Sequence, residues 1–131
     1  MIALDTNVLV RLLTRDDDKQ AEKVRTLIEK SADENDRFFV SDIVLAELAW
    51  TLERTYGFDK AAIGMAFKAL ADNATLGFES RDTLRLAHQI FEDAKVGFAD
   101  CLIVAKAQVH GCRSLVTFDK AMRALPSVDL L

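Results

Sequence analysis

Ile2-Ala3-Leu4-Asp5-Thr6-Asn7-Val8-Leu9-Val10-Arg11-Leu12-Leu13 is the stretch whose reading decides the fold. Ile2 to Leu4 is an apolar run with room for one short strand, and Asp5-Thr6-Asn7 interrupts it with three polar groups. Val8, Leu9, Leu12 and Leu13 then recur at helical spacing. The pattern predicts strand, turn and helix, with a carboxylate at the junction.

The same alternation continues along the chain. Asp16 to Asp18 opens a second helix whose apolar stripe is Ala21, Val24, Leu27 and Ile28. Phe38 to Val40 is an aromatic and β-branched run, followed by Ser41 or Asp42 as a cap and a helix from about Ile43 to Thr55, stopped at Gly57. Asp59 caps a fourth helix to about Leu70, with Ile63, Phe67 and Leu70 inward, and Thr75 to Phe78 predicts a strand. Helices from Asp82 to Ala94 and from Phe98 to His110 follow, the latter closed by Gly111, before a last strand from Ser114 to Phe118. Strands alternating with helices imply an α/β fold with a mainly parallel sheet covered on both faces. In such sheets ligands bind beyond the carboxyl ends of the strands, and Asp5 and Asp119 both fall just past such ends.

A chain of 131 residues is the size of one domain and long enough to bury a core without staples. Half of it is hydrophobic and 29% charged, the balance of a soluble globular protein. No apolar run approaches the roughly 20 residues of a membrane span, and no signal peptide precedes Ile2. Cys101 and Cys112 are expected on one helix, too far apart to bridge. A cytoplasmic location fits these features. With two histidines and no close cysteine pair, the chain lacks zinc-site spacing, so a metal would be held by oxygen. The net charge of −4 weighs against a nucleic-acid partner, since phosphate binding draws on basic residues. Acids gathered around a divalent cation would reverse the local field and weaken that objection.

Four acids stand out by position. Asp5 reads equally as a turn or N-cap carboxylate and as a functional group. Glu47 lies among Ile43, Val44, Leu45, Ala46, Leu48, Ala49, Trp50 and Leu52, and a carboxylate buried there costs several kcal/mol unless a cation or hydrogen bonds offset it. The alternative is a structural pair with an arginine. Asp100 is the lone charge in the first turns of an apolar helix, which suits the helix dipole and equally a ligand site. Asp119 follows Leu115-Val116-Thr117-Phe118 and reads either as the start of a helical turn or as a site residue. A cluster of such carboxylates suits Mg²⁺ or Mn²⁺ and phosphoryl-transfer chemistry.

Four segments resemble, in order and approximate spacing, the motifs of PIN domains: Ile2-Ala3-Leu4-Asp5-Thr6-Asn7-Val8-Leu9, Val44-Leu45-Ala46-Glu47-Leu48, Gly97-Phe98-Ala99-Asp100-Cys101-Leu102-Ile103, and Val116-Thr117-Phe118-Asp119. Each is weak alone and specific in combination. The resemblance spans nearly the whole chain and is strongest to the compact VapC-type ribonuclease toxins of toxin–antitoxin pairs. It implies a three-layer fold, a central parallel sheet flanked by helices, and Asp5, Glu47, Asp100 and Asp119 around Mg²⁺ or Mn²⁺. Asp5 and Asp100 would be the principal ligands, Glu47 and Asp119 would bind directly or through water, and Thr6, Asn7 and Thr117 would be supporting polar residues. It further implies endoribonuclease activity through a metal-activated water, leaving 5′-phosphate and 3′-hydroxyl ends, with a protein antitoxin and a homodimer as partners. Many relatives carry a further aspartate three residues before the third-motif acid, where this chain has Gly97, which leaves the number of metals open.

Arg11 and Arg15 sit one helical turn apart after Asp5 and are candidates for RNA phosphates as well as for plain surface solvation. Trp50, Tyr56, Phe58 and Met65 would either line a groove for an antitoxin segment or belong to the core. Two rival readings remain: a non-catalytic PIN-like scaffold that binds RNA or protein, and a phosphatase or dehalogenase with Asp5 as covalent nucleophile. Asn7 counts against the phosphatase, which places a second aspartate there.

Overall fold

The computed structural model describes residues 1–14 and 16–131. In chain order the elements are β1 (Ile2–Ala3), α1 (Thr6–Leu13), α2 (Asp18–Asp33), β2 (Phe38–Val40), α3 (Asp42–Arg54), α4 (Lys60–Asp72), β3 (Leu76–Phe78), α5 (Arg81–Asp93), α6 (Phe98–Val109), β4 (Leu115–Thr117), a 3₁₀ turn (Lys120–Met122) and β5 (Val128–Leu130). The expected α/β architecture is present. β1, β2 and β3 form one parallel sheet in that order, and β4 pairs with β5, also in parallel.

Parallel register sets every strand of the first sheet to end at the same edge. Ala3 lies opposite Phe39 and Val40 opposite Phe78. Within two residues of its end each strand reaches a side chain that caps the next helix. Asp5 caps α1 through the Thr6 N–H at 2.8 Å, Ser41 caps α3 through the Val44 N–H at 3.2 Å, and Ser80 caps α5 through the Thr83 N–H at 3.1 Å. Each side chain satisfies a donor that the first helical turn leaves without an intrahelical partner.

The core is one continuous cluster running from Leu4 and Leu9 through Phe38, Leu45, Leu48 and Leu52 to Phe67, Leu84, Phe98 and Val104. At its centre the Phe67 and Phe98 rings stack with centroids 3.8 Å apart, and Phe91 meets Phe98 edge-on at 5.5 Å. These contacts join α4, α5 and the first residue of α6. Lys60, at the start of α4, donates to the Phe91 and Ala94 carbonyls at the end of α5 and lies 4.0 Å over the Phe91 ring. The orphan carbonyls of that helix end thereby gain a cationic donor.

Two expectations are corrected. Cys101 and Cys112 do not share a helix: α6 ends at Val109, and Cys112 lies beyond the Gly111 turn, its N–H donating to the Ala107 carbonyl at 2.9 Å. Both thiols are free, Cys101 buried and Cys112 exposed. The strand β5 was not anticipated, because Val128-Asp129-Leu130 is too short to signal itself. Its pairing begins where Ser127, at φ 56°, accepts from the Leu115 N–H at 2.8 Å. No described helix is long and apolar enough to cross a membrane.

The stacked aromatic centre yields a direct prediction. Phe98 is fully buried, so Phe98→Ala should cost about 3–5 kcal/mol. In urea unfolding this should appear as a lowered midpoint with an unchanged slope; a midpoint within experimental error of the parent would refute the assignment of Phe98 to the packing centre.

Candidate active site

The four acids singled out by the sequence lie on four different elements: Asp5 after β1, Glu47 in α3, Asp100 in α6 and Asp119 after β4. Asp5 is exposed at the end of β1. Its Oδ1 accepts from the Thr6 N–H at 2.8 Å and its carbonyl accepts from Val8 and Leu9, so the residue is fixed from both ends. The Thr6 side chain is 2% exposed and its Oγ1 has no hydrogen-bond partner. A buried hydroxyl in that condition costs about 1–3 kcal/mol, which marks Thr6 as a polar group not explained by packing. Asn7 is exposed and shares a shallow cleft with Arg11, Gln20 and Lys23.

Asp119 follows β4 and is also exposed. Its N–H donates to Thr117 Oγ1 at 3.0 Å, and its Oδ1 accepts from the Ala121 N–H at 2.9 Å, which caps the 3₁₀ turn. Asp100 occupies the first turn of α6, whose N-cap is Gly97 with no capping side chain. Asp100 is half-buried. Its pKa is raised, chiefly by burial and then by the negative charge of Asp119. These two carboxylates therefore lie close enough to repel each other through protein.

Glu47 requires a correction. Its helix was expected to be apolar nearly all round, with Glu47 desolvated. In the structure Ile43, Glu47, Trp50 and Arg54 form one exposed stripe, while Leu45, Leu48, Ala49 and Leu52 face the core. Glu47 is therefore solvated rather than buried, in the second turn of α3. The packing argument applies instead to Asp42, one residue into α3 and 8% exposed. Asp42 pairs with Lys106 near the end of α6, and its N–H donates to Glu79 Oε2 at 2.6 Å. No pattern local to Asp42 signals that pair, because its partners lie 64 and 37 residues away.

Gly97 has a physical counterpart that the sequence did not reveal. A Cβ at this position would stand 3.3 and 3.5 Å from the two carboxylate oxygens of Glu53. The space that a side chain would take above the α6 N-terminus is thus filled by an acid from α3. Burial pushes the neighbouring Cys101 thiol up to about 11, with the charges of Asp100 and Glu53 adding to the shift and Lys60 opposing it.

Arg11 is committed to its own surroundings. Its guanidinium donates to Asp16 at 2.8 Å, to Gln20 at 2.5 Å and to the Tyr56 hydroxyl at 3.0 Å, tying α1 to the start of α2 and the end of α3. Arg15 lies outside the described residues. Of the groove residues, Trp50 and Met65 are exposed and Tyr56 and Phe58 half-buried.

The PIN-domain model matches residues 2–128. The chain belongs to the PIN-domain family. Within it, a VapC ribonuclease of Aquifex aeolicus (strain VF5) is 26% identical over 125 residues, covering 95% of this chain and 92% of that protein. The residues matched by the family model include the positions of Asp5, Glu47, Asp100 and Asp119.

Among the described residues no three His, Cys, Asp or Glu side chains gather into a group sized for a metal ion. Asp100 and Asp119 are near enough for the charge of Asp119 to raise the Asp100 pKa. Asp100 and Asp119 thus stand as a pair of carboxylates rather than a closed cage of ligands. That arrangement fits Mg²⁺, which is commonly held by one or two carboxylates and completes its octahedron with water and substrate phosphate. Two carboxylates that repel each other gain from a shared cation.

A raised carboxylate pKa means that the folded chain holds the Asp100 proton more tightly than the unfolded chain does. Ionising it therefore costs stability as pH rises through its folded-state value. Asp100→Asn should raise the thermal midpoint of metal-free protein at pH 7, and the gain should vanish as pH falls below the ordinary 3.8 of an aspartate. Thermal unfolding in chelator across this range checks the sign; a variant less stable than the parent at pH 7 would contradict it.

Proposed function

We propose that this chain is a divalent-metal-dependent endoribonuclease that hydrolyses RNA phosphodiesters, and that it serves as the toxin of a toxin–antitoxin pair. The observation that carries the reading is the half-buried Asp100 set against Asp119 at the carboxyl edge of a parallel α/β fold. Family membership over residues 2–128 and similarity to a protein named as a ribonuclease support the same chemistry.

Asp5 and Asp100 are assigned as the principal carboxylates for Mg²⁺ or Mn²⁺, with Asp119 beside Asp100 and Glu47 reaching the site directly or through water. A cation bound there supplies Lewis acidity, making water more acidic and offsetting charge that develops on the phosphoryl group. The protein supplies positioning. Thr6 N–H fixes one oxygen of Asp5 and leaves the other for a ligand. Thr117 and Ala121 orient Asp119 from its two sides. Glu47, solvent-facing on α3, is assigned to orient the attacking water and accept its proton. Asn7 and Lys23 line the cleft beside Asp5, where Lys23 offers a positive charge to a phosphate.

The test is cleavage of a labelled panel of structured RNAs with Mg²⁺, with Mn²⁺ and with chelator, alongside Asp5→Ala of verified fold. Metal-dependent cutting that falls by at least about a hundredfold in Asp5→Ala is expected, in line with the loss of a group acting in the transition state. RNA left intact by folded, metal-loaded protein would instead favour the binding-scaffold reading.

A further inference from the structure

The chain has eight phenylalanines, one tyrosine and one tryptophan. Among the described residues only Trp50 and Phe118 of these are exposed, at 49% and 78%. Both adjoin an acid of the candidate site. Phe118 immediately precedes Asp119, and Trp50 follows Glu47 by three residues on the same exposed stripe of α3.

Helix packing sets Trp50 at the same level along the α3–α6 pair as Asp100. Asp42 at the start of α3 pairs with Lys106 near the end of α6, and Glu53 near the end of α3 meets Gly97 before the start of α6. The two helices therefore run antiparallel. Trp50 lies three residues in from Glu53 and Asp100 three residues in from Gly97. At about 1.5 Å per residue both stand about 4.5 Å in from the same end of the pair. Beside Asp119, the hydrogen bond from its N–H to Thr117 Oγ1 at 3.0 Å closes a tight turn that holds Phe118 at its apex.

An exposed aromatic ring forgoes the burial that its surface would otherwise gain. Two such rings, each next to an acid assigned to the site, suit a partner with flat apolar faces. Single-stranded RNA presents them, and stacking a base on an aromatic side chain contributes about 1–3 kcal/mol whatever the base. The formal charge of −4 makes that contribution more important, because the protein has no basic excess from which to draw phosphate affinity.

We propose that Trp50 and Phe118 are base-stacking residues, each receiving a base of single-stranded RNA on one side of the phosphate that the acids address. This rests on the ribonuclease reading above. It assigns affinity to the bases flanking the cut and leaves the acids to the chemistry.

Trp50 is the sole tryptophan, so its fluorescence reports on its own environment. The probe is a short single-stranded oligouridylate, compared with a ribose-phosphate strand of equal length that lacks bases. Asp5→Asn protein in Mg²⁺ binds both without consuming them. Oligouridylate should quench Trp50 and the abasic strand should not, and an added Phe118→Ala should weaken oligouridylate binding about tenfold. Phe118→Tyr should restore it. In the cutting enzyme, Phe118→Ala should raise KM about tenfold and leave kcat within about threefold. Equal quenching by both strands, or wild-type affinity in Phe118→Ala, would overturn the proposal. So would a Trp50 signal that follows protein concentration alone, since that would assign the face to a second copy of the chain. Wild-type cutting with KM unchanged in Phe118→Ala would sink the stacking residues and leave the ribonuclease standing; folded, metal-loaded protein that neither binds nor cuts RNA would sink both.

Discussion

Parallel pairing of β1, β2 and β3 is the constraint from which the rest of the molecule follows. A strand that must be followed by a parallel neighbour cannot turn back through a hairpin, so the chain crosses over through helices each time. All three strands consequently end at one edge, and each runs at once into a helix whose first N–H groups need acceptors. Asp5, Ser41 and Ser80 provide them. The demand for acceptors at that edge is structural, and its consequence is a concentration of oxygen atoms where a parallel α/β fold opens to ligands.

Capping alone does not account for the acids. Ser41 and Ser80 show that a hydroxyl suffices, whereas β1 ends in a carboxylate with one oxygen bonded and Asp100 sits in the first turn of α6, half-buried and opposed by Asp119. The fold tolerates this repulsion because α6 is anchored elsewhere. Phe98 is locked between Phe67 and Phe91, and Lys106 holds the far end through Asp42. A rigid helix can therefore carry a charge that is unfavourable where it stands.

Much of this was legible in the sequence because it is local. Apolar runs ended by polar groups marked β1 to β4 and helical spacing marked α1 to α6, with Asp5 and Asp119 just past strand ends and Asp100 the lone charge in the first turns of an apolar helix. What escaped reading depends on which faces meet. Glu47 sits in a helix too apolar to show which stripe is left uncovered, and only the packing of α3 reveals that Ile43, Glu47, Trp50 and Arg54 face outward. The Asp42–Lys106 pair and the approach of Glu53 to Gly97 link residues far apart in the chain. The three residues of β5 become a strand only through the register that β4 imposes.

The contact between Glu53 and Gly97 couples two positions that sequence distance would treat as independent. One supplies a carboxylate and the other supplies the absence of a side chain, and each is tolerable because of the other. An aspartate introduced at 97 would bring its Cβ within 3.3 Å of the existing acid and would place a second negative charge against it at a helix start. Because the atoms met are the far end of a flexible side chain, charge rather than space is what an acid at 97 would contend with, and it is relieved when Glu53 swings aside or position 53 loses its charge. The two sites should drift as a pair, one bearing the carboxylate while the other stays uncharged.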